Sequence, residues 1–236
     1  MSYFSVTLVL FPPVIAAVYI GLILLRRAFS YSEKLPEEFA LAVAWVFVVG
    51  GLFWLGVYFS DSIFLGFGVP WTWLAAAHFI FAGYGALTIT AMTCRVISSK
   101  LAQRWIRVLI FIHPVSYLIT AGGILGYPYC DELGATGYAF IFITQLGAFF
   151  FGKPNRMSKG PLVLFAISLI VPLGTIIPAL SWAWGSPIFG IYDMVRYHGV
   201  ANAIGHVCLG LTAFGWGRPK AHSKPLPSVT EIHLDP

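Results

Sequence analysis

The sequence predicts an all-α polytopic membrane protein: a seven-transmembrane-helix bundle with its N-terminus outside and its C-terminus in the cytoplasm. Three observations predict it. Hydrophobic residues make up 58% of the 236 residues and charged residues only 10%, against about 45–50% and about 25% in ordinary soluble domains. Seven apolar runs, at about 6–25, 39–59, 71–93, 107–126, 136–152, 162–184 and 199–216, are each near the ~20 residues that cross a hydrocarbon core. Thirteen of the fourteen Lys and Arg fall in alternate connections. By the positive-inside rule those connections face the cytoplasm.

The elements follow in order. Before the first run, Met1 to Ser5 carry no Lys or Arg, and the first basic pair, Arg26-Arg27, comes after it. That is the reverse of a signal peptide, so the first helix is expected to stay as an anchor. The second run follows Lys34 and ends before Asp61. The third starts at Trp71 and carries His78, and basic residues Arg95, Lys100, Arg104 and Arg107 surround the connection to the fourth. His113-Pro114 marks a kink in the fourth run, because the carbonyl four residues before a proline loses its donor. The fifth run is short, with Thr144 and Gln145 as interhelical hydrogen-bonding groups, and Pro172 and Pro178 predict kinks in the sixth. The seventh carries His206, and the connection before it holds Asp193 and Arg196.

The chain divides into a transmembrane domain at 1–217 and a cytoplasmic tail at 218–236. The tail, with Pro219, Pro225 and Pro227 among polar residues, lacks apolar periodicity and is expected to be disordered. Three scattered cysteines, Cys94, Cys130 and Cys208, are too few for a disulfide framework or a thiolate metal site. The net charge of +5 reflects membrane orientation, so no nucleic acid partner is expected; the partners are the lipid bilayer and a lipophilic small molecule.

Ionisable groups inside a span are expensive and by default mark function. Four histidines, His78, His113, His198 and His206, are the ionisable groups in or beside the predicted spans, and no Lys, Arg, Asp or Glu occupies the middle of one. This excludes a retinal Schiff base and argues against a carboxylate-driven transporter. His198, Asn202 and His206 are spaced i, i+4, i+8, which puts them on one helical stripe about 12 Å long. His78 lies at a comparable depth, about 10 Å below Trp71, so one outward-facing cavity is expected to hold both. Small residues around both sets permit close helix approach.

The resulting expectation is general acid–base catalysis on a lipophilic, isoprenoid- or polyketide-like substrate, of the isomerase, cyclase or epoxide-opening type. His78 and His198 would carry protons, Asn202 would orient the substrate or stabilise an oxyanion, and Asp193 or Asp61 would act as the partner acid. Arg196, His206, Tyr84 and Phe81 are the expected binding residues. No cofactor is required and no metal is expected. Competing readings are a transporter or binding protein for a small lipophilic solute, a zinc hydrolase using His78, His198 and His206, and haem ligation by His78 and His206.

The run AHFIFAGYG in the third helix and RYHGVANAIGH before and within the seventh resemble the YndJ-like membrane proteins. The match rests on His78, Phe79, Ala82 and Gly83 in the first run, and on Arg196, His198, Gly199, Asn202, Ala203 and Gly205 in the second. The resemblance implies a polytopic helical protein built around those polar positions. His206 stands where the family pattern has an aromatic residue.

Overall fold

A computed structural model of the chain describes residues 3–224 and Leu226. Seven helices form, and there is no strand among the described residues. Six are long and apolar enough to cross a membrane: α1 (Tyr3–Ser30), α2 (Pro36–Phe59), α3 (Trp71–Val96), α4 (Lys100–Ile124), α5 (Cys130–Phe151) and α6 (Lys159–Ala183). The seventh, α7 (191–217), alternates α and π segments, the longest α piece being the nine residues Leu209–Gly217. α3 likewise contains a π segment, Phe79–Gly85. Such segments widen the helix by one residue and take carbonyls out of the regular ladder.

The helices extend past the apolar runs where caps or polar partners allow. α4 begins at Lys100 and not near 107, because Ser99 caps it by accepting from the Ala102 N–H and Gln103 donates to the Ile97 carbonyl at 3.0 Å. α7 begins at Ile191, before the predicted 199, on the polar turn that carries Asp193 and Arg196.

The second half of α3 is the centre of the bundle. Ten of the eleven residues Ala86–Val96 are buried, and Leu87, Ile89, Cys94 and Val96 pack in the core with Ile106 and Leu109 of α4, Ile141 and Phe149 of α5, and Phe165 of α6. α7 reaches α3 through glycines. A Cβ on Gly85 would stand 2.5 Å from Val207, and one on Gly210 would stand 2.4 Å from Ile89, so only hydrogen fits at both positions. α1 packs on α2 and leaves most of its apolar surface outward.

Connections at one end of the bundle are hydrogen-bonded into a layer. Ser98 N–H donates to the Gly152 carbonyl at 3.0 Å, Arg156 N–H to Val96 at 3.3 Å, and Ser32 N–H to Lys224 at 3.0 Å. This basic end holds two buried ion pairs that the sequence reading did not single out. Arg95 forks onto Glu38, with Nε to Oε1 at 2.8 Å, and Arg107 forks onto Glu37 with both bonds at 2.9 Å. The two carboxylates are only 0% and 3% exposed, so the pairing must replace the water they have lost. Their sequence signal was an acidic pair just after Pro36, facing an end otherwise dominated by Arg and Lys.

Residues 218–236 were expected to be disordered; 225 and 227–236 lie outside the described residues. The described part is packed. His222 donates from Nε2 to the Cys94 carbonyl at 2.7 Å and accepts at Nδ1 from Arg156 at 2.8 Å, while Ser223 accepts from the Glu33 N–H at 2.9 Å. Periodicity could not reveal this segment, because hydrogen bonds to other loops hold it and an apolar face of its own does not.

Candidate functional site

The three polar residues of the α7 stripe all turn toward α6. His198 Nδ1 lies 2.6 Å from the Thr175 carbonyl, and the Thr175 hydroxyl donates to Asn202 Oδ1 at 2.8 Å. One turn deeper, His206 Nδ1 lies 2.7 Å from the Ser168 carbonyl. Pro172 explains that last acceptor: it stands four residues after Ser168 and has no N–H, so the carbonyl is free for a side chain.

These acceptors fix the histidine tautomers. A carbonyl only accepts, so Nδ1 of His198 and of His206 carries the proton and Nε2 keeps a lone pair. The 3.4 Å approach of Asn202 Nδ2 to His198 Nδ1 is therefore a contact between two donors and not a hydrogen bond. Both Asn202 N–H groups remain available to an acceptor. His198 thus presents a base, with an amide beside it.

His78 comes from α3. It is exposed on the bundle surface. Across α3 and α7, His78 lies within electrostatic reach of His198, which stands one turn from Asn202. His206 is set apart, 2% exposed and packed on Phe142 with ring centroids 5.5 Å apart.

The other expected residues are dispersed. Asp193, Arg196 and Asp61 are exposed at the end opposite the basic layer. Among the described residues the ion pairs are Glu38–Arg95 and Glu37–Arg107, so Asp193 and Arg196 do not pair. The π segment that starts at Val195 widens the turn between them, and residues three apart no longer stack as they do in an α-helix. Tyr84 packs edge-on against Trp45 of α2, centroids 5.2 Å apart, and Phe81 is half-buried in the α3 π segment. Among the described residues, no three His, Cys, Asp or Glu side chains are grouped to hold a metal ion. The zinc reading through His78, His198 and His206 lacks its ligand set, since the third histidine is a turn and more deeper.

Two further polar residues that the sequence marks, Gln145 and His113, make hydrogen bonds to α3. Gln145 of α5 donates to Thr93 at 2.9 Å and receives Thr90 at 3.3 Å, tying α5 to α3 in the core. His113 Nε2 donates to the Ala82 carbonyl at 2.8 Å, an acceptor inside the α3 π segment.

A family model described as YndJ-like protein matches residues 4–206, from the start of α1 to His206. No curated protein and no solved structure matches the chain.

Proposed function

This chain belongs to the YndJ-like protein family, and on the geometry of the α3–α7 face we propose that it is an intramembrane enzyme. It uses general acid–base chemistry on a lipophilic, isoprenoid- or polyketide-like substrate that enters sideways from the bilayer. The observation that carries the reading is an exposed histidine on a membrane-spanning helix, His78, within electrostatic reach of His198, whose tautomer is set by the Thr175 carbonyl. A histidine on a lipid-facing surface is costly unless it is used.

In this reading His198 Nε2 takes a proton, His78 returns one, and Asn202, held through Oδ1 by Thr175, donates from Nδ2 to developing negative charge. The chemistry suits opening an epoxide, shifting a double bond or cyclising a polyene. Asp193, Asp61 and Arg196 are exposed at the end nearer His198 and take no part in the proton transfers. The same reading places the N-terminus outside and the basic layer in the cytoplasm, supported by the thirteen basic residues at that end and the positive-inside rule. Protease access to an N-terminal tag on intact cells reads this orientation.

A second reading, passage of a small lipophilic solute, is favoured by polar groups that continue below the site, from His206 and Ser168 to Gln145, Thr90 and Thr93. One experiment separates the two. The detergent-solubilised protein is offered a panel of isoprenoid and polyketide epoxides and polyenes, and native mass spectrometry of the same preparation looks for a retained ligand. The enzyme turns one over without a sealed compartment, and His78→Ala and His198→Ala abolish turnover at unchanged folded yield. Full activity in both variants, or accumulation that needs sealed vesicles, refutes the proposal.

A further inference from the structure

Six buried side-chain nitrogen or oxygen atoms have no hydrogen-bond partner among the described residues, and three of them belong to one cluster: His113 Nδ1, Tyr138 Oη and His206 Nε2. They come from α4, α5 and α7, and their side chains are 0%, 8% and 2% exposed by residue. The rings form a chain. His113 meets Tyr138 edge-on with centroids 5.2 Å apart, Tyr138 lies 5.9 Å from Phe142, and Phe142 lies 5.5 Å from His206. His206 lies within electrostatic reach of His113.

The hydrogen-bond inventory of the three atoms is specific. His113 donates from Nε2 to the Ala82 carbonyl, so its Nδ1 is a bare acceptor; His206 donates from Nδ1 to the Ser168 carbonyl, so its Nε2 is a bare acceptor. Tyr138 supplies one unused O–H. A buried polar atom left unpaired costs about 1–3 kcal/mol, and such atoms in native interiors are matched by protein groups or ordered water. Two acceptors and one donor are complementary to a single molecule that has two donors and one acceptor.

We propose that His113, Tyr138 and His206 form a buried site for one water molecule, which donates to His113 Nδ1 and His206 Nε2 and accepts from the Tyr138 hydroxyl. The site lies beside the abutting π segments of α3 and α7, where Gly85 meets Val207. Those segments supply its anchors: the Ala82 carbonyl belongs to one and His206 to the other. The arrangement places two imidazole lone pairs and a phenol on one water in the middle of the bundle, a unit that can accept and pass a proton. It stands independently of the enzyme reading, because none of its three residues belongs to the His78, His198 and Asn202 set.

The test uses the full chain in lipid bilayers with 15N-labelled histidine. Solid-state NMR transfers polarisation from water protons to imidazole nitrogens, and His113→Gln and His206→Gln each assign one signal by its loss. Transfer to the unprotonated nitrogen of both histidines is expected, with at least a twofold drop at both in Tyr138→Phe, a shape-preserving change. Transfer to neither or to only one, or no change in Tyr138→Phe, overturns the proposal. Should a histidine variant fail to fold, a density map that resolves ordered water decides without substitution. A peak within about 2.7–3.2 Å of all three atoms is expected, and a Tyr138 hydroxyl bonded directly to either histidine overturns the site.

Discussion

Replacing Arg95 with Leu leaves the Glu38 carboxylate, 3% exposed, without the guanidinium that occupies both its oxygens. Breaking a buried pair from one side costs about 3–5 kcal/mol, because the remaining charge is neither solvated nor compensated. Arg95 also sits 5.8 Å over the Phe214 ring, and loss of that cation–π contact adds about 0.5–1 kcal/mol. At about 2–4 °C per kcal/mol for a chain of roughly this size, Tm in detergent should fall by about 7–24 °C. The double variant Glu38→Leu with Arg95→Leu removes both charges and leaves apolar groups of similar bulk, so it should recover most of the loss. Arg107→Leu should cost less, because the Arg107 side chain is 26% exposed and water reaches that end of the Glu37 pair. Thermal unfolding of the wild type, Arg95→Leu, Glu38→Leu and the double variant side by side reads the cycle, with Arg107→Leu as the comparison. An Arg95→Leu loss below about 1 kcal/mol, or single effects that simply add in the double variant, would show that the pair is not a coupled buried unit.

Docking of the C-terminal segment should weaken in acid. Burial, aided by the nearby Arg156, holds the His222 imidazole below its usual 6.5, while its bond to the Cys94 carbonyl works the other way. A depressed folded value means that the neutral form is the docked one, so docking is complete above about 6.5 and is lost as pH falls through the window beneath it. Amide exchange at Ser32, whose N–H donates to Lys224, should accelerate across that window beyond the intrinsic rate; constant protection would contradict the assignment. Gly85→Ala forces a methyl to within 2.5 Å of Val207 and should cost about 1–3 kcal/mol, whereas Gly147→Ala meets nothing within 4 Å and should gain up to about 1 kcal/mol from helix propensity. Melting shifts of the same sign for both would refute the close approach of α3 and α7. Gln145→Leu should change stability by less than about 1 kcal/mol, because Thr90 and Thr93 already donate to the Ala86 and Ile89 carbonyls at 2.9 Å; a loss of several kcal/mol would mean that the amide carries the α3–α5 contact.

Composition and periodicity alone determine that this is an all-helical chain, and six of the seven expected spans coincide with helices long and apolar enough to cross a membrane, because about 20 apolar residues in a row have few other uses and every backbone polar group in a bilayer must be satisfied within its own helix. The same reading finds the histidines, since an ionisable residue in an apolar run stands out whatever it does. What it cannot give is their partners. The spacing of His198, Asn202 and His206 predicts a common stripe, and the stripe exists, but only the packing shows that it turns to α6 and that His206 leaves the His78 side for a core shared with His113 and Tyr138. The π segments are equally invisible, because no residue pattern marks where a helix takes up one extra residue per turn. Glu37 and Glu38 look like loop charges until Arg95 and Arg107 arrive from α3 and α4. In each case the sequence specifies a polar atom, whereas its energy depends on which atom stands within about 3 Å of it, and that is fixed by helices far apart in the chain.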